Sequence, residues 1–146
     1  MKRILILAFL LVVSFSVFSQ GYEAALHSPT PGSNGNGIWS TGLSNGTYGT
    51  WSFTSSGNGA RYKGIFFNTR NMPNGPIIQA LLFDYFIQSG KLYIVYTSKK
   101  VFDESGRNVV GELSLGGQME SFNMSFDLYQ GTPVLNLDGT FYILME

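Results

Sequence analysis

Histidine occurs once in this chain, at His27, and cysteine not at all. Those two counts narrow the chemistry before any fold is considered. Thiol nucleophiles, thiolate metal sites and disulfides are all removed. A Ser-His-Asp or similar arrangement would depend on His27 alone. His27 stands beside Ser28 to Gly37, a stretch so rich in Pro, Gly and Asn that it predicts a flexible segment, so His27 itself is expected to be solvated. Paired carboxylates are the remaining route to acid–base work. Asp103 and Glu104 are adjacent and precede a Ser105-Gly106 turn, which predicts solvation. Glu112 and Asp127 fall among polar neighbours. Asp84 sits between Phe83 and Tyr85 in an apolar run. Pointing inward, its pKa would rise through desolvation, but alternation along the run predicts that it points outward. Asn136-Leu137-Asp138-Gly139 shares part of a calcium-loop pattern but lacks the other acidic ligands and the closing Glu. A hairpin turn accounts for it. Asn45-Gly46-Thr47 and Asn123-Met124-Ser125 fit the N-glycosylation pattern, which is common by chance. No catalytic residue, metal site or cofactor is expected, and the chain is read as a non-enzyme.

Aromatic side chains are the second group able to act on a ligand. They make up 15% of the chain, against 12% charged residues. They can fill a core through cross-strand pairs, or line a face for an apolar or sugar ligand. The candidate ligand-binding residues are Tyr85, Tyr93 and Tyr96, which share one hairpin, with Trp51 and Phe53 on an earlier strand.

The elements that must position these residues are strands. From Thr47 to Thr54, Gly49, Trp51 and Phe53 alternate with Tyr48, Thr50, Ser52 and Thr54, the period-2 pattern of a half-buried strand. Ser55 to Gly59 predicts a turn and Ala60 to Asn68 the return strand. Thr69 to Pro76, with two prolines, predicts the longest loop. Ile77 to Gln88 is apolar enough to resemble a buried helix. The Ser89-Gly90 turn and the clean alternation of Lys91 to Lys99 after it favour a strand. Arg107 to Leu115 predicts a short strand and Gly116-Gly117 another turn. In Gln118 to Tyr129, Phe122, Met124, Phe126 and Leu128 form one apolar face. Val134 to Leu137 and Thr140 to Met145 flank Asp138-Gly139, a strong hairpin signal. The sum is an all-β chain of about eight strands. Nearest-neighbour hairpins favour a small antiparallel up-and-down β-barrel over a sandwich.

The first residues predict export. Met1-Lys2-Arg3 is a positive start, Ile4 to Val13 is unbroken apolar sequence, and Val17-Phe18-Ser19 offers a cleavage site. A membrane anchor is the alternative, but the apolar stretch falls short of the roughly 20 residues a spanning helix needs. Cleavage is expected after Ser19 or one residue later. The expected organisation is a signal peptide at 1–19, a flexible leader at 20–36 and a β-domain at 37–146. Without Lys2 and Arg3 the nine basic residues become seven, against nine acidic ones. No basic cluster exists to neutralise phosphates, so nucleic acid is not an expected partner. With no lipidation cysteine, a periplasmic or extracellular location is expected.

Gly37-Ile38-Trp39, then Trp51 to Gly59, Phe83 to Ile94, Phe122 to Tyr129 and Val134 to Tyr142 occur in an order that resembles small secreted bacterial lipocalin-like domains. The resemblance covers residues 37–146. It implies a barrel with Trp39 packed across its floor beside Gly37, with Trp51 as the rival for that role. It also implies a small hydrophobic ligand held inside. The chain departs from the family in ending on a strand, where a lipocalin carries a C-terminal helix. The expected function is a secreted or periplasmic binding module. The alternative is a structural or protein-interaction domain of the cell envelope with a filled barrel. An enzyme and a membrane-spanning barrel are the remaining, weaker readings.

Overall fold

Alternation governs the chain from Asn36 onward, and with one face apolar its strands have to close over something. The structure is a computed structural model that describes residues 22, 25–27, 36–42, 47–58, 61–73 and 75–145. The expected signal peptide, and the Pro/Gly-rich stretch up to residue 35, lie outside the described residues. Eight strands follow in order: β1 (Asn36–Gly42), β2 (Thr47–Asn58), β3 (Arg61–Met72), β4 (Gly75–Gln88), β5 (Lys91–Phe102), β6 (Val109–Tyr129), β7 (Thr132–Leu137) and β8 (Thr140–Leu144). Each pairs antiparallel with the next, and β1 pairs with β8, so the up-and-down sheet closes into a ring. The fold is all-β, with one helical turn at Tyr22 and residues 25–27. No helix among the described residues is long and apolar enough to cross a membrane.

Period-2 alternation sends Trp39, Trp51, Phe53, Phe83, Tyr85, Leu92, Ile94, Tyr96, Met124, Leu135, Leu137 and Leu144 inward, where all are buried. The apolar run of β4 is a strand over its whole length. A helix would have turned Tyr85 to the side opposite Phe83 and Ile87, whereas the strand sends all three into the core.

Three expectations are corrected by the ladders. The long loop over Thr69 to Pro76 is instead strand on both sides, paired as far as Met72↔Gly75. Gly116-Gly117 is not a turn between two strands. It lies inside β6, where Leu115, Gly116 and Gly117 together stand opposite Thr97, between the pairs Tyr96↔Gln118 and Ser98↔Ser114. Both glycines have positive φ, 63° and 79°, so the surplus residues are absorbed as a bulge and the strand continues. The third correction concerns the leader. Leu26 is fully buried, and His27 is 7% exposed, not solvated.

Ring closure is narrow. The β1–β8 seam consists of Trp39↔Leu144 and Ser40↔Ile143, extended by the Met145 N–H donating to the Ile38 carbonyl at 2.8 Å. Every other pair of neighbouring strands is bound by a longer ladder, the shortest being the four pairs of β7 and β8, which a two-residue turn joins.

Candidate functional site

Trp39 is fully buried, and its indole N–H donates to the Leu26 carbonyl at 3.2 Å. The bond is possible because position 37 has no side chain: a Cβ on Gly37 would lie 1.8 Å from that carbonyl oxygen. Gly37 and Trp39 therefore fasten Leu26, and with it the described residues 22 and 25–27, across one end of the ring. Tyr22 packs on Phe126 with ring centroids 6.1 Å apart, and Trp39 meets the same ring at 5.8 Å. His27 completes the closure. Its Nε2 is hydrogen-bonded to the Tyr85 hydroxyl, which donates to the Thr54 carbonyl at 3.0 Å. With the phenol proton directed at Thr54, the bond to His27 requires Nε2 to carry the imidazole proton. The ring is edge-on to Tyr62 at 4.9 Å, and burial holds its pKa below the ordinary histidine value.

Trp51 is the centre of the interior, not a floor residue. Phe66, Phe83, Phe53, Phe122 and Tyr142 surround it at centroid distances from 4.3 to 6.2 Å. Phe53 adds an edge contact to Tyr85 at 5.1 Å. Of the candidate ligand residues, Trp51, Phe53, Tyr85 and Tyr96 thus meet inside, as parts of one aromatic cluster. Tyr93 does not join them. It has the opposite parity on β5 and stacks on Phe86 outside, 4.9 Å apart and 3° from parallel. The Tyr96 hydroxyl donates to Glu120 Oε2 at 2.9 Å; burial and the neighbouring carboxylate push the phenol well above its usual pKa. Two buried polar atoms in this region, Trp51 Nε1 and Asn68 Oδ1, have no hydrogen-bond partner.

The carboxylates considered for chemistry are scattered. Asp84 points outward to Lys63, its cross-strand neighbour, at 3.6 Å. Lys100 faces Glu112 at 3.8 Å. Asp103 is not merely solvated. It accepts hydrogen bonds from Ser105 Oγ, Asn108 Nδ2 and the Arg107 and Asn108 amides, which hold its carboxyl at about 2. It fastens the β5–β6 loop. Asp138 similarly accepts from the Asn123 amide and side chain, and its positive φ of 48° followed by Gly139 at 89° makes the expected hairpin turn. Among the described residues, no three His, Asp or Glu side chains gather as a metal site would need.

A cavity lies over the seam, its floor on the outer face of the ring and its edge at the rim, where Thr41 and Leu128 of the inward-facing parity also line it. One lateral row forms its floor: Ser40 pairs with Ile143, Ile143 with Val134, and Val134 with Asp127, crossing β1, β8, β7 and β6 in turn. Because Trp39 and Leu144 of the adjacent row point inward, this row points outward. Val134 is nevertheless only 5% exposed. The groove holds about 510 Å³, and its walls are mostly apolar, from Leu128, Tyr129, Phe141 and Ile143. Ser40, Thr41 and Asp127, with the Tyr129 hydroxyl, are the polar side chains of its lining. Asp127 is one of the carboxylates weighed above for acid–base work, and its neighbour Leu128, expected on the core face with Phe126, is 69% exposed and walls the groove instead. The available signal was the β7–β8 hairpin, where Phe141 and Ile143 alternate with Tyr142 and Leu144 on the face away from the core.

Set against known proteins, the chain matches no family model, no curated protein and no solved structure.

Proposed function

We propose that this protein is a non-enzymatic binding module that takes a small, mainly apolar molecule in the groove over the β1–β8 seam. The carrying observation is that groove: about 510 Å³, apolar-walled, with Val134 sheltered at its base. It falls within the roughly 300–1,000 Å³ of ordinary small-molecule sites. Four of the aromatic residues named from sequence, Trp51, Phe53, Tyr85 and Tyr96, pack together inside the ring, on the other side of the wall from the groove. In this reading the scaffold is a lipocalin-like barrel with its binding surface outside. The positions of Trp39 and Gly37, beside Leu26 at one end, support that family reading.

Export is part of the same proposal, with a signal peptide removed after Ser19 and a periplasmic or extracellular product. Intact mass of the protein recovered from its host's envelope tests both parts. A chain beginning at Gln20 with a small molecule retained under native conditions is the expected result. A bare chain of full length would overturn it.

A second reading, a protein-interaction domain with a filled barrel, is favoured by one observation. Ile38 and Met145, joined across the seam, extend the exposed apolar surface beside Phe141 and Ile143. A membrane-spanning barrel is disfavoured by the apolar lining of the ring and by the outward polar row Ser121, Asn123, Ser125 and Asp127 on β6.

A further inference from the structure

We infer that the groove selects an apolar cation, a molecule with an alkyl body and a single protonated amine, held by the carboxylate of Asp127. The inference rests on the binding reading above and adds the ligand's charge. Asp127 borders the groove at the end of the Ser40–Ile143–Val134–Asp127 row. One of its oxygens accepts the Leu128 amide at 2.7 Å, which fixes the orientation of the carboxylate. The second oxygen has no partner among the described residues, and neither of the ion pairs there involves Asp127.

The environment sets the preference. A neutral apolar ligand would shield a carboxylate from water without replacing the lost hydration, which is unfavourable. An anion would add repulsion to that loss. An ammonium supplies both the opposite charge and the donors the free oxygen needs, and charge-assisted bonds of this kind are about twice as strong as neutral ones. The rings of Tyr129 and Phe141 on the same groove offer faces to which a cation is also attracted. Ser40, whose hydroxyl is already hydrogen-bonded to Thr50 Oγ1 at 2.9 Å, offers the amine only a neutral acceptor, weaker than the carboxylate.

The test is a titration of the ¹⁵N-labelled protein with n-octylammonium, 1-octanol and octanoate at neutral pH and low salt, followed at the Val134 and Ile143 amides. Octylammonium is expected to bind about tenfold more tightly than octanol, with octanoate weakest, and the gap should narrow at high salt. Asp127→Asn keeps an acceptor for the Leu128 amide and should bring octylammonium level with octanol, while Asp127→Glu should retain the preference. Equal binding of octylammonium and octanol, or a preference that survives Asp127→Asn, would overturn the charge assignment and leave the groove reading standing. If none of the three probes moves Val134 or Ile143, the groove reading fails and takes this inference with it.

Discussion

Replacing Gly37 by Ala should detach Leu26 and its helical turn from the end of the ring. The added Cβ would come within 1.8 Å of the Leu26 carbonyl oxygen and 2.8 Å of the Trp39 indole nitrogen. Strand backbone on one side and a buried Trp on the other leave little room to yield. The predicted loss has two parts. The Trp39 N–H exchanges the Leu26 carbonyl for water, a net loss of about 0.5–1.5 kcal/mol. Leu26 exchanges full burial for water, about 1.5–3 kcal/mol. The sum, about 2–4.5 kcal/mol, is a large share of the roughly 5–15 kcal/mol that holds a domain together. Urea denaturation followed by Trp fluorescence measures it, and hydrogen exchange of the peptide containing Leu26 shows whether the segment has left. Leu26→Ala should cost about 2–5 kcal/mol by itself. Because both substitutions break one contact, the double variant should lose clearly less than the sum. A Gly37→Ala protein of unchanged stability, with Leu26 still protected, would refute the reasoning.

Further outcomes follow from the same geometry. Acid should destabilise the closed end through His27. Its native pKa is depressed, so the unfolded chain takes up the proton first, and stability holds above about pH 6.5 and declines below it. His27→Gln keeps a donor for Tyr85 and should flatten that decline in urea midpoints measured between pH 7.5 and 5. Asp103 acts over a lower range. With its carboxyl held at about 2, it stabilises the loop above roughly pH 4 and loses that effect as pH falls toward 2. Asp103→Ala should speed amide exchange at Arg107 and Asn108 at neutral pH, with little effect elsewhere. Trp51→Ala should cost about 3–5 kcal/mol by emptying the centre of the aromatic cluster. Octanol affinity at the groove, read at the Val134 amide of the folded variant, should change little.

Much of the ring was legible in the sequence because a strand with one buried face must alternate. Phe122, Met124 and Phe126 declare their inner face, and Asp138-Gly139 and Ser89-Gly90 declare their turns through the positive φ that they adopt. The errors have physical causes. Gly116-Gly117 has the composition of a turn, and only its β5 partner shows that the strand continues past it. Thr69 to Pro76 carries the prolines of a loop, yet Pro76 sits within β4, paired with Asn71. His27 looked solvated because the sequence beside it is rich in Pro, Gly and Asn. The acceptor that Trp39 requires and the Tyr85 hydroxyl that His27 meets are 13 and 58 residues away, beyond the reach of local pattern. Tyr85, Tyr93 and Tyr96 share one hairpin, but parity separates Tyr93 from Tyr96, a distinction that the alternation of β5 already contains. The groove depends on which strands meet at the seam, and a lateral row across β1, β8, β7 and β6 has no signature in any one segment.

Methyl NMR of the protein titrated with 1-octanol tests the account most directly, because it separates the outside of the ring from the inside in one experiment. Binding in the groove predicts saturable shifts at the methyls of Val134 and Ile143, with Leu92, Ile94 and Leu135 unmoved. Saturable shifts at Leu92, Ile94 and Leu135, with Val134 and Ile143 silent, would contradict it and put the ligand inside the ring.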